Sequence, residues 1–254
     1  MKIASWNVNS LKVRLPHLLA WLEAQQPDVL CLQELKLEDH NFPVAEIAAT
    51  GYHSIFSGQK TYNGVALLSR HPIDQVCVGN PHFPDEQKRL IAGTVNGTRI
   101  ICAYIPNGQA VGSDKYEYKL RWLDGLIAWV GEELSTHDQL ALCGDYNIAP
   151  DDRDVHAPKS WAGQILCSEP ERNAFQRLIG LGMADSFRLF EQAEKTFSWW
   201  DYRMLGFQKN KGLRIDHILL SNHLTLRCIA AGIDRAPRKL ERPSDHAPVW
   251  ATLS

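Results

Sequence analysis

The chain has little that would direct it to a membrane, a secretory route or a disulfide scaffold. In 254 residues, no apolar run approaches the roughly 18 residues a membrane span needs. The opening Met1-Lys2-Ile3-Ala4-Ser5-Trp6 lacks both the apolar core and the small-residue cleavage site of a signal peptide, so a cytoplasmic location is expected. Six cysteines form no Cys-x-x-Cys pair. Four of them (Cys31, Cys102, Cys143 and Cys228) sit in apolar, strand-like runs. They are expected to be reduced, buried small hydrophobes rather than disulfides or zinc ligands. The formal net charge is only −2, so any basic surface for a polyanion must be local. No repeat, low-complexity tract, long linker or composition shift divides the chain, and one domain over 1–254 is expected. Nothing signals oligomerisation, so a monomer is expected.

What is present is an alternation of short apolar runs and amphipathic stretches. Lys2 to Asn9 reads as a strand, and Leu15, Leu18, Leu19 and Leu22 mark a helix with Pro16 in its first turn. Val29 to Leu32 reads as a strand buried on both faces, ending in Gln33-Glu34. Gly51 to Ser57 and Gly64 to Ser69 read as further strands. Val95-Asn96-Gly97-Thr98 is a hairpin signal whose second strand runs to Tyr104. Apolar spacing predicts a helix near Lys115 to Leu134. Gln139 to Cys143 is a strand running into Gly144-Asp145-Tyr146-Asn147, and residues 151–167 read as a polar loop. Ser168-Glu169-Pro170-Glu171 is a capping box opening a helix. Ile215 to Leu220 and Leu226 to Gly232 are the next strands, and a last apolar run follows Val249. Strands outnumber helices, which suggests an α/β arrangement of two packed sheets flanked by helices.

The polar residues at strand ends carry the chemistry: Asn7, Glu34, Tyr104, Asp145, Asn147, Asp216, Asp245 and His246. The acids stand alone in apolar contexts, where an uncompensated carboxylate is costly. The set has no cysteine ligand and is rich in oxygen, which suits Mg²⁺, with Mn²⁺ as substitute, better than zinc. One such ion needs only one or two carboxylates plus waters and phosphate oxygens, so acids remain for other work. Asp216 has two candidate partners, the neighbouring Arg214 and the distant His246. Asp145 can position or deprotonate a water. In the heptad Pro243 to Val249, two prolines hold Asp245 and His246 extended, so their side chains point to opposite sides. The set suits phosphate-ester hydrolysis with a metal as Lewis acid. Dense aromatics at Phe197 to Tyr202, with a basic run from Lys209 to Arg214, suit a nucleic-acid substrate.

The ordered series Trp-Asn-x-Asn (from Trp6), Leu-Gln-Glu (from Leu32), Tyr-x-Pro-Asn-Gly (from Tyr104), Gly-Asp-Tyr-Asn (from Gly144), Gly-Leu-Arg-Ile-Asp (from Gly212) and Ser-Asp-His-Ala-Pro-Val (from Ser244) resembles the exonuclease III family. That family belongs to the endonuclease/exonuclease/phosphatase superfamily. The resemblance runs from Met1 to Leu253. It implies a four-layer α/β/β/α sandwich of two mainly antiparallel mixed sheets flanked by helices. It implies a magnesium-dependent enzyme on double-stranded DNA: a 3′→5′ exonuclease that also cleaves 5′ to abasic sites and removes 3′-blocking groups. By motif, Glu34 is the main metal ligand, with Asn7 and Asp245 nearby. Asp145 handles the attacking water or the leaving group, and Asn147 orients it. Tyr104 and Asn107 contact the phosphate, and His246, oriented by Asp216, stabilises charge on it. Trp199, Leu213 and Ile215 match the pocket for a flipped-out abasic sugar. Position 213 is aromatic in some relatives, and position 9 is Asp in some where this chain has Asn9. Two other readings are a superfamily phosphatase on inositol phosphates or lipids, and a catalytically inactive DNA-binding module.

Overall fold

The structure is a computed structural model that describes Met1–Ser254. Its strands, in chain order, are β1 Lys2–Asn7, β2 Val29–Gln33, β3 His53–Ser57, β4 Val65–Ser69, β5 Asp74–Val78, β6 Leu90–Val95, β7 Thr98–Tyr104, β8 Leu140–Asp145, β9 Met183–Asp185, β10 Trp199–Trp200, β11 Gly212–Leu213, β12 Asp216–Ser221, β13 Cys228–Ile233 and β14 Val249–Leu253. The helices are α1 Leu11–Gln25, α2 Val44–Ala49, α3 Asp114–Thr136, α4 Pro158–Trp161, α5 Glu169–Gly180 and α6 Asn222–Thr225. Two six-stranded sheets form, in the orders β13-β14-β1-β2-β4-β3 and β5-β6-β7-β8-β12-β9, with β10-β11 as a small ribbon. Only β1–β2 and β7–β8 run parallel within the large sheets; the other neighbours are antiparallel.

Side-chain alternation builds the layers. On β2, Cys31 faces the other sheet while Leu30 and Leu32 face the α1 side. On β8, Ala141 and Cys143 face the first sheet, and Leu140 and Leu142 face α3 and α5. Both strands are buried along their whole length, which is why each reads as a continuous apolar run. Three apolar layers result. One lies between α1, α2 and the first sheet, one between the sheets, and one between the second sheet and α3 with α5. The architecture is therefore α/β/β/α, as the motif series implied.

Several local elements differ from the sequence expectation. Helix α1 starts at Leu11, where the Arg14 amide donates to the Ser10 carbonyl, so Pro16 lies in the second turn. It has no N–H for the Lys12 carbonyl, a local loss the helix absorbs through its buried face of Leu11, Leu18, Trp21 and Leu22. Strand β5 was unpredicted: it is a bulged, mostly exposed edge, so its sequence carries little apolar pattern. The six-residue α2 was missed too, with only Ile47 fully buried to mark it. Among the cysteines, all free, Cys31, Cys102 and Cys143 are buried between the sheets. Cys228 is only half-buried, because β13 is a sheet edge, and Cys167 is buried where no strand pattern announced it.

Candidate active site

Register brings the polar strand ends together. Tyr104 lies opposite Asp145 across β7–β8, and Asp145 lies opposite Asp216 across β8–β12. Gly144 permits this, since a Cβ there would collide with the Ala103 carbonyl oxygen on β7. In the other sheet Asn7 pairs with Gln33, so Glu34 projects from the same end. His246 arrives from the turn before β14 and bridges to Trp199. The connecting backbone is unusual: Asn9, Glu34, Lys36 and Asn147 have φ of 43°, 54°, 55° and 50°. Left-handed residues of this kind persist only where their surroundings hold them, and they gather at functional sites.

Asn7 joins the two sheets. Its Nδ2 donates to Glu34 Oε1 at 2.8 Å and to Asp145 Oδ2 at 2.9 Å, while its Oδ1 accepts from the Asn9 amide at 3.0 Å. Asn7 therefore holds the two carboxylates rather than presenting a free oxygen. His246 Nδ1 donates to Asp216 at 3.0 and 2.9 Å, and its Nε2 lies 3.8 Å from Asp145 Oδ2. Ser198 Oγ completes the group, donating to Asp216 Oδ2 at 2.6 Å and accepting from the Ile215 and Asp216 amides, each at 3.1 Å.

Burial and mutual charge set the proton affinities. Burial opposes charge on His246, but Asp216 and Asp145 outweigh it and raise its pKa. Asp145 is raised by burial, against the pull of His246 and with the push of Asp216 and Glu34. Burial would also raise Glu34, but Lys36, the Asn7 amide and His246 bring it below the usual range. The Tyr104 phenol is pushed up by burial and by the charges of Glu34 and Asp145, so it stays a proton donor. The site thus pairs an imidazolium with an anionic Glu34 and an Asp145 poised to exchange a proton.

Glu34, Asp145 and His246 each place a side-chain ligand atom within 4.8 Å of the others, and with His246 charged it is the carboxylate oxygens that can hold a cation. The Lys36 ammonium already lies against Glu34 Oε2 at 2.8 Å and Asn9 Oδ1 at 2.6 Å, so these oxygens accept positive charge here. The donors are mainly oxygen, which fits a hard divalent ion. Asp245 lies outside this group: its oxygens accept from Asn9 Nδ2 at 2.8 Å and Trp199 Nε1 at 3.0 Å. Beside the cluster, the Asn147 amide caps Asp145 Oδ1 at 2.9 Å, and Asn147 Oδ1 accepts from exposed Asn107 at 3.1 Å.

The apolar trio is placed less openly. Leu213 is 0% exposed and Ile215 2%, packed with Ala149, Val155, Leu166 and Cys167 from the 149–167 stretch. Only Trp199, half-buried, retains surface. Val155, Leu166 and Cys167 from loop 151–167 pack directly on Leu213 and Ile215, and the loop's Asp154 also turns inward, to Arg214.

Arg214 is not the partner of Asp216. Its guanidinium grips Asp154 (Nε–Oδ1 2.7 Å) and Asp185 (Nη2–Oδ2 2.8 Å), and donates to His217 Nδ1 at 3.0 Å. Burial, then the Arg214 charge, lowers His217 to about 4, so it accepts as a neutral ring and donates from Nε2 to the Ile148 carbonyl. Breaking a buried ion pair by removing one partner destabilises by about 3–5 kcal/mol. Arg214→Met is therefore expected to lower unfolding stability by about that much. Urea denaturation measures it, and a loss under about 1 kcal/mol, the scale of an exposed pair, would show that the network is not holding the ribbon down.

Sequence reasoning missed Ser198, Lys36 and Ser244. Ser244 Oγ donates to the Asn7 carbonyl at 2.7 Å and accepts from the His246 amide at 3.2 Å, locking the heptad onto β1. Its place directly before Asp-His was the available signal. For Ser198 there was none beyond its aromatic neighbours.

Comparison with known proteins agrees with this geometry. The sequence profile of the Endonuclease/Exonuclease/phosphatase family matches residues 4–246. The exodeoxyribonuclease III of Haemophilus influenzae is 39% identical, covering 99% of this chain and 99% of its own. The 3′ phosphatase NExo from Neisseria, solved bound to a product DNA hairpin, superposes with a TM-score of 0.98 at 47% identity, covering 100% of this chain and 99% of that one. An AP endonuclease from Archaeoglobus fulgidus gives 0.96 at 37% identity, with 100% and 99% covered.

Proposed function

The chain belongs to the endonuclease/exonuclease/phosphatase family, and from that premise we propose that it is a metal-dependent DNA repair hydrolase acting on phosphodiester bonds and on phosphate esters that block 3′ ends. The observation that carries this reading is the Glu34–Asp145–His246 group, half-buried at Glu34 and buried at the other two, with Asp216 and Ser198 behind it. Magnesium, with manganese as substitute, would be held by Glu34 and the oxygens beside it, supplying Lewis acidity toward a phosphoryl oxygen. Asp145, with its raised proton affinity, takes a proton from the attacking water. The charged His246, fixed by Asp216, faces the phosphoryl oxygens and offsets the charge that builds there. Tyr104 and Asn107 donate to the phosphate, while Asn147 fixes Asp145. Asn7 orients the two carboxylates, and Asp245 positions Asn9 and Trp199 from the rim. The whole chain acts as one catalytic domain, a monomer working in the cytoplasm.

The DNA substrate is favoured over an inositol phosphate or lipid by the relatives and by the exposed Arg203, Lys209 and Lys211 beside the aromatic ribbon. A complete acid set argues against an inactive binding module. Within DNA, the burial of Leu213 and Ile215 favours a 3′ terminus, including a 3′ phosphate, over an extruded abasic sugar. A terminus needs no unstacking of an internal nucleotide, which costs a few kcal/mol. The test compares single-turnover rates on three duplexes, carrying a 3′ phosphate, a recessed 3′ hydroxyl and an internal abasic analogue. Faster turnover of both 3′ ends is expected. An abasic rate above both would show that the 151–167 loop opens and that the slot is real.

If Asp216 and His246 act as one unit, their losses should not add. The double alanine variant is expected to be little slower than His246→Ala alone. Multiplicative losses in kcat would mean that Asp216 works by a separate route.

A further inference from the structure

Helix α3 carries one charge on its apolar face. Lys119 lies at helical spacing among the buried residues Tyr116, Trp122 and Leu123, and is 0% exposed. An ammonium has three donors, and all of them are used. One meets the Glu171 carboxylate, one the Asn147 carbonyl at 2.7 Å, and one the Asn107 carbonyl at 3.2 Å.

Glu171 has other donors of its own. Its oxygens accept from the Leu166 amide and the Ser168 amide, each at 3.1 Å, so the start of α5 is capped without the lysine. What the lysine alone reaches are the main-chain carbonyls of the two carboxamide residues. Asn147 stands at φ 50°, a conformation that needs support from outside, and its Oδ1 accepts from Asn107 Nδ2 at 3.1 Å. The same Asn147 caps Asp145. A shift in either carbonyl would therefore move the pair that faces the phosphate. A misplacement of about 1 Å at a reacting centre costs on the order of 10²-fold in rate.

We infer that Lys119 is a positioning residue for the hydrolysis: from beneath the site it fixes Asn107 and Asn147, and through Asn147 it fixes Asp145. This rests on the functional reading given above.

The variant to examine is Lys119→Met with Glu171→Gln, which removes both buried charges and leaves neither uncompensated. Arg99→Met is the stability control: it breaks the pair between buried Arg99 and half-buried Glu133 near the opposite end of β7. With all proteins folded by thermal melt, the double variant is expected to lose about 30- to 100-fold in kcat on a 3′-phosphate duplex, with KM changed less than about threefold. Arg99→Met should stay within about twofold of wild type, and Glu171→Gln alone within about threefold. The side-chain amide resonances of Asn107 and Asn147 should shift in the double variant only. A folded double variant with wild-type kcat overturns the inference, as does an equal loss in Arg99→Met, which would tie rate to stability alone. Should the double variant not fold, Lys119→Gln is read instead, and unchanged kcat and resonances there overturn the inference. An inactive wild type would count against the functional reading, while the resonances would still report whether Lys119 holds the two asparagines.

Discussion

Asp145→Asn is expected to lose about 10²–10⁴-fold in turnover, the range assigned to a positioned general base, while DNA binding persists. The substitution is nearly isosteric, and the local bonds define what it changes. Asp145 Oδ1 accepts from the Asn147 amide and Oδ2 from Asn7 Nδ2. An amide can keep one of these bonds through its oxygen, but its nitrogen must then face a donor. Asn147 or Asn7 would have to turn, and the charge facing His246 would be gone. Burial raises Asp145 toward the pH at which a base is effective, and an amide has no such titration. Gel-shift affinity together with single-turnover rates separates the two effects. A variant with more than about a tenth of the wild-type rate would remove Asp145 from the proton-transfer role.

Glu34→Ala should abolish turnover by a different route. Glu34 is the acid whose proton affinity is held below normal, by Lys36, Asn7 and His246 against the effect of burial. It is also the member of the group whose Oε2 already accepts a cation. Removing it leaves Asp145 and His246, which alone make a poor site for a hard divalent ion. Calorimetric titration with Mg²⁺ should show weakened binding, and added Mn²⁺ should recover little rate. Wild-type metal affinity in Glu34→Ala would place the ion elsewhere.

The catalytic end of the molecule was legible because it follows from strand periodicity. A polar residue ending an apolar strand has few places to go, and two parallel-connected strands bring such ends together. That placed Asn7, Glu34, Tyr104, Asp145 and Asp216 at one end of the two sheets. The pairing of Asp216 was not decidable from neighbours: Arg214 is two residues away in sequence, yet Asp154 from the 151–167 loop and Asp185 from the end of β9 claim it. Ser198 was invisible for the same reason, since its value lies in a bond across the ribbon to Asp216. Lys119 did leave a mark, as a charge at a core position of α3, but its partners come from three separate segments. The apolar pocket shows the reverse. Leu213 and Ile215 were named for facing a ligand, and the 151–167 loop, whose composition reads as polar, covers them with Val155, Leu166 and Cys167. Burial by a loop leaves no periodic trace in sequence.

Hydrolysis at this site depends most on a hard divalent ion working with these residues. The direct measurement is turnover of a 3′-phosphate duplex by the purified chain in excess chelator, followed by return of Mg²⁺ or Mn²⁺ in excess. The prediction is complete loss of product on chelation and full recovery on return of either ion, with calcium restoring little. Undiminished turnover in excess chelator would contradict it.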